Sequence, residues 1–187
     1  MSRVPRVSPE SLVGAQKQLY ELYTTGTRSA PGTDFRLVDD DGQLIGPPAA
    51  WMLNAELGLG LERLGREIRF NLGLSARHRE IVILLVAEAE DSDFERYAHN
   101  KAAARAGLSA AEIAGLADGS FAAAGVAEAL LVELASALIA GHELDDDLWM
   151  RAVDALGPAT VFEVVTLVGY YRMMALQLRA FRLLPPV

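Results

Sequence analysis

The chain has 187 residues, 51% of them apolar and 22% charged, which is a globular composition with room for one domain and a substantial core. A net charge of −8 argues against a phosphate-binding surface, since non-specific nucleic-acid affinity comes from clustered Lys and Arg, so no nucleic-acid partner is expected. Zero Cys removes disulfides, thiolate metal ligands and all thiol chemistry.

The basic residues at the start, MSRVPRVSPESLVG, are not followed by an apolar run of signal-peptide type, and a cytoplasmic protein is expected. Ser8-Pro9 pairs a good N-cap with a proline at the first helical position, and Leu12, Ala15, Leu19, Leu22 and Tyr23 then recur at helical steps. A first helix ending near Tyr23 follows. Residues 24–50 are rich in Gly, Pro and Asp, and FRLVDDDGQLIGPP reads as two short extended runs around an Asp-Gly turn, a small β-hairpin near residues 35–46 or an ordered loop. Asp39-Asp40-Asp41-Gly42 lacks the later glutamate of a calcium loop. From Trp51 to Phe70 Leu53, Leu57, Leu61, Leu64 and Ile68 keep a helical period, and close backbone packing would explain Gly58, Gly60 and Gly65.

Ser75 is the expected N-cap of a helix whose centre, Ile81 to Ala87, is apolar on every face and so buried all round. A helix from Asp93 to Ala106 follows, closed by Gly107. Ser109 and Glu112 form a capping box for a short helix to about Ala117. Helices are expected at Phe121–Ala140, at Asp145–Leu156 behind an acidic cap, and from Pro158 to about Phe181. The last is mostly apolar, but Glu163, Arg172 and Gln177 inside it favour a core or oligomer helix over a membrane span. The expected fold is all-α.

Glu95 and His99 stand four apart, about 40° in azimuth on one helix face, with small Ala102, Ala103 and Ala106 beyond them. A carboxylate one turn away can fix an imidazole's tautomer and raise its basicity, which suits acid/base work near neutral pH. The structural alternatives are specific. Glu95 can close a capping box with Ser92, His99 can be a hydrogen-bonded core histidine, and Glu80 can complement a helix dipole. Phe94 and Tyr97 can be core residues, and Arg77-His78-Arg79 a solvated face. Glu95 and His99 also resemble half of a metal site, with His142-Glu143 as a distant second pair whose spacing does not require convergence, so no metal is expected. No phosphate loop, nucleophile elbow or dinucleotide fingerprint is present.

LSARHREIVILLVAEAEDSDFERYAHNKAAARAGLSAAEI, residues 74–116, resembles the core of the carboxymuconolactone decarboxylase and alkyl hydroperoxidase D superfamily, and the preceding FRLVDDDGQLIGPP and Trp-containing helix look like the region before that core in longer members. In the peroxidase branch the pattern is a glutamate, a CxxC pair and a histidine; these fall on Glu80, on Ser92 and Glu95, and on His99, so both sulfurs are missing and the thiol peroxidase reaction is excluded. The cysteine-free decarboxylase branch reads roughly Glu-Trp-Tyr-Ala-His where this chain has Glu95-Arg96-Tyr97-Ala98-His99, and Arg96 departs from that pattern. The resemblance implies a single-domain helical bundle spanning 1–187, a homo-oligomer such as a trimer or hexamer, and a cofactor-free decarboxylation of a small carboxylated lactone or related aromatic-catabolism metabolite. It implies His99 as proton donor, Glu95 as the residue orienting it and Glu80 as a second carboxylate, with Tyr97, Arg96 and Ser92 as substrate contacts. The anionic substrate would need a local positive patch, for which Arg77, His78, Arg79, Arg96, Lys101 and Arg105 are available. The other expectation is a non-catalytic oligomeric binding or interaction protein on the same scaffold.

Overall fold

The chain divides into two compact units, Met1–Phe70 with Leu176–Val187, and Asn71–Ala175. The computed structural model describes residues 2–25, 38–141 and 143–186. Among these residues the regular structure is helical and no strand forms; Val38 and Leu44 meet in one antiparallel bridge. That bridge closes the Asp-Gly turn: Gly42, at φ +74, donates its N–H to Asp39 O at 3.1 Å, and Asp39 donates to Gln43 O at 2.9 Å. Residues 35–37 of the expected hairpin lie outside the described residues.

In the first unit, Ser8 makes no side-chain cap and Pro9–Ser11 is only a short 3-10 turn. The chain runs extended through Leu12, which is buried, and helix α1 spans Gly14–Thr24, later than the Ser8-Pro9 signal implies. Burying Leu12 in extended form takes precedence over the proline's helical preference. α1 buries Leu19 and Tyr23, and the Tyr23 ring meets Trp51 edge-on at 6.4 Å. The helix expected from Trp51 to Phe70 is interrupted: α2 spans Pro47–Trp51, a 3-10 turn Met52–Asn54 follows, and α3 spans Ala55–Phe70. Asn54 is the reason, since its Oδ1 accepts the N–H of Leu57 at 3.2 Å and caps α3. Gly58 lets α3 close on its neighbours, for a Cβ there would lie 2.7 Å from Trp51 Cβ and 2.9 Å from Leu19 Cδ2. Trp51 Nε1 donates to Gln177 Oε1 at 2.8 Å, fixing the indole.

The second unit is built on α4 (Ala76–Ala89) and α5 (Asp93–Arg105), followed by α6 (Ala110–Asp118), α7 (Val126–Ala140), α8 (Asp146–Leu156) and the first part of α9 (Pro158–Phe181). Ser75 Oγ accepts the N–H of His78, as its N-cap position predicts. Ile81 to Leu84, with Val86 and Ala87, are buried, so the all-round apolar run does lie in the interior. Ile81 and Leu84 pack with Ala103, Leu108 and Leu116 from α5, the following turn and α6. α6 carries the predicted Ser109–Glu112 capping box. α7 starts at Val126 instead of Phe121, because α6 ends in left-handed Gly119 and the Phe121 N–H turns back to Gly115 O at 3.0 Å. α9 has the length and composition of a membrane span, yet Val161, Val164, Leu167, Val168, Met174 and Ala175 are buried within the protein. Glu163 on α9 accepts the backbone N–H of Gly73 at 2.8 Å and of Leu74 at 3.1 Å, anchoring the entry to α4.

Candidate active site

The turn Glu90–Ser92 sends the chain from α4 into α5, with Asp91 at φ +48. The pairing of these two helices puts Glu80 of α4 opposite His99 of α5. His99 Nδ1 lies 2.7 Å from Glu80 Oε2, and His99 Nε2 lies 3.4 Å from Glu95 Oε2. The second distance is too long for a strong hydrogen bond and is a close polar contact. Tyr171 from α9 sets its ring edge-on to the imidazole at 5.1 Å. Glu80, Glu95 and Ser92 are buried, and only 10% of the His99 side chain is exposed.

The two carboxyls are pushed in opposite directions. Burial raises Glu80, but the charge and hydrogen bond of His99, joined by Arg79 at 3.3 Å, outweigh it and hold the group below the usual glutamate range. For Glu95, burial is the largest effect; it exceeds the attraction of His99, is reinforced by the negative charge of Glu80, and lifts the carboxyl above that range. Glu80 is therefore a carboxylate near neutral pH, so Nδ1–H is the donor in the short contact and Nε2 is the nitrogen turned to Glu95. A carboxylate, an imidazole and a carboxyl harder to ionise than usual can hold a proton and pass it, and pairs of titratable groups driven apart in this way mark acid/base centres.

Of the residues named from sequence, Glu80, Glu95 and His99 come together. Ser92 makes no side-chain cap, and Glu95 faces His99; the Ser92–Glu95 capping box does not form. Ser92 acts through its backbone, donating to Ala87 O at 2.9 Å and accepting from the Arg96 N–H at 3.0 Å. The Arg96 guanidinium is held at the α4–α5 turn by Glu88 (3.2 Å), Asp91 (2.8 Å) and Asp93 (2.7 Å). Tyr97 packs edge-on to Phe94 at 6.3 Å, with Lys101 Nζ 5.2 Å from its ring centre. Arg77 is no solvated residue: it is bidentate to Glu128 at 2.7 and 3.0 Å and also reaches Glu112 and the Gly107 carbonyl, tying α4 to α6 and α7. Three of the arginines expected in an anion-attracting patch, Arg77, Arg79 and Arg96, thus each meet carboxylates of the protein itself. Among the described residues no group of three or more is arranged to hold a metal ion, and His142 of the distant second pair lies outside them.

Sequence reasoning missed Tyr171, whose position in an apolar helix gives no sign of its contact with His99. It also missed Arg79 as the second partner of Glu80, although a basic residue beside the glutamate was visible.

The model of one family, the carboxymuconolactone decarboxylase family, matches residues 55–138, from the start of α3 into α7, and includes all three members of the triad. No curated protein and no solved structure matches the chain.

Proposed function

We propose a reaction from one premise, that residues 55–138 of the chain belong to the carboxymuconolactone decarboxylase family: the Glu80–His99–Glu95 triad is the proton-transfer centre of a lyase acting on a small carboxylated lactone or related aromatic-catabolism metabolite. The observation that carries this reading is the acid–imidazole–carboxylate alignment, with the two carboxyls shifted in opposite directions. The C–C bond to the substrate carboxylate breaks, CO₂ leaves, and the electron pair passes into the conjugated lactone. The Glu95 acid proton passes to His99 Nε2, while Glu80 holds Nδ1–H and stabilises the doubly protonated ring; Nε2 then delivers that proton to the carbanion at carbon, and solvent reprotonates Glu95. The chemistry we propose needs no metal or coenzyme. Tyr97, Arg96 and Ser92 flank the triad in sequence, and their contact with substrate is part of the same proposal, as are an anionic substrate, a cytoplasmic location and a homo-oligomeric working form.

Screening unsaturated lactone acids for CO₂ release tests the reading. His99→Ala should lower turnover by about 10²- to 10⁴-fold, the usual worth of a positioned acid or base, and Glu80→Gln by a comparable factor. Equal turnover by wild type and His99→Ala would remove the imidazole from the mechanism.

The 10% exposure of the His99 side chain, with carboxyls at both nitrogens, supports a second reading, a non-catalytic oligomeric binding protein on the same scaffold. Wild-type protein that turns over none of the panel would favour it.

A further inference from the structure

In the unit formed by Met1–Phe70 and Leu176–Val187 lies a cavity of about 340 Å³. That volume is at the lower end of the range of about 300–1,000 Å³ in which small-molecule pockets fall. Glu80, Glu95 and His99 do not line it. Its wall is largely apolar, with Val7, Leu12, Leu44, Met52 and Leu183 among the lining residues. Among the described residues three charged ones line it: Arg6, Asp39 and Arg182. Two of these are committed to each other. Arg6 Nη2 donates to Asp39 Oδ2 at 3.0 Å and to Asp41 Oδ2 at 2.7 Å, while Asp39 Oδ1 accepts the N–H groups of Asp41 and Gln43.

Arg182 differs. No carboxylate or carbonyl among the described residues accepts from its guanidinium. Its backbone is also left-handed, at φ +52, where it closes α9: the Arg182 N–H meets Arg179 O at 3.2 Å and the Leu183 N–H meets Leu178 O at 2.9 Å. This is the helix-ending position at which glycine sits without strain, and here it carries a long side chain with five N–H donors. Among the described residues the largely apolar wall holds one uncommitted cation, the exposed Arg182, and no uncommitted carboxylate, a combination that selects for a particular ligand. An amine would find no free acid, and a neutral molecule would leave the guanidinium unused.

We propose that this cavity is a binding site for a small monocarboxylic acid with an apolar body, the carboxylate paired with Arg182 and the body packed against Leu12, Leu44 and Met52. Arg is the side chain suited to such bidentate carboxylate recognition. The site uses none of the triad's chemistry and stands whether or not the decarboxylase reading holds.

Isothermal titration of the full chain with octanoate, 1-octanol and octylamine tests it. One octanoate should bind per chain, at least tenfold more tightly than octanol or octylamine. Arg182→Gly, which relieves the left-handed backbone, should weaken octanoate at least tenfold without lowering the melting temperature. Leu184→Glu, at a residue that is 69% exposed and lines the cavity, should weaken it similarly by placing a negative charge at the rim, and it carries the test if the first variant misfolds. His99→Ala should leave octanoate affinity unchanged. The proposal is overturned by absence of octanoate binding, by equal affinity for octanoate and either comparison ligand, by full retention of binding in both cavity variants, or by loss of binding in His99→Ala.

Discussion

Burial pushes the Glu95 carboxyl above the usual glutamate range, with the charge of Glu80 adding to that effect. A group whose folded pKa is raised gives its full contribution to stability below the unfolded value of about 4.3 and loses it as pH rises through the folded value. Glu95→Gln has no proton to lose there. The variant's stability relative to wild type should therefore improve between pH 5 and pH 8, by on the order of 1 kcal/mol, a common size for a single substitution. Urea unfolding at the two pH values measures this, and a difference independent of pH would mean that Glu95 is already ionised in the folded protein. The pairing of Glu95 with His99 was legible in the sequence because i and i+4 on one helix is a local relation. The 2.7 Å contact between His99 and Glu80 was not, since only the pairing of α4 with α5 creates it. Spacing made Ser92–Glu95 look like a capping box, and the nearby imidazole decided otherwise.

α3 carries a paired test of packing. At Gly58 a Cβ would sit inside contact distance of Trp51 and Leu19, so Gly58→Ala should destabilise by about 1–3 kcal/mol, the usual cost of overpacking. At Gly60 a Cβ would meet nothing within 4 Å, and Gly60→Ala should stabilise by about 0.5–1 kcal/mol through helix propensity and reduced freedom of the unfolded chain. Opposite signs in thermal unfolding check the assignment, and a shared sign would refute it. Most helices announced themselves: the run from Ile81 to Ala87 and the caps at Ser75, Ser109 and Asp145 act as their chemistry requires. Two of the failures share an origin. Asn54 breaks α2 from α3, and Gly119 with the Phe121 turn delays α7, because a side-chain cap or left-handed residue inside an apolar pattern competes with periodicity, and periodicity alone does not settle the outcome.

For the molecule as a whole, the net charge of −8 was plain, but the fate of its cations was not. Arg77 and Arg96 meet carboxylates that arrive from other helices or from a tight turn, and a chain-order reading has no view of that, whereas Arg79 turns to its own neighbour Glu80. In the second unit α9 leaves Phe162 and Val165 exposed three residues apart, and we propose that this face meets a second copy of the chain. Light scattering behind size exclusion should give a homo-oligomer, a trimer or hexamer, and Phe162→Glu with Val165→Glu should shift it toward the monomer mass; a wild-type monomer at tens of micromolar would overturn this. The clasp of Glu163 on the Gly73 and Leu74 N–H groups spans 90 and 89 residues of chain. During synthesis Glu80, Glu95 and His99 leave the ribosome well before the Glu163 carboxylate that fastens the entry to α4. The nascent chain cannot fasten the entry to α4 until the first part of α9 has been made.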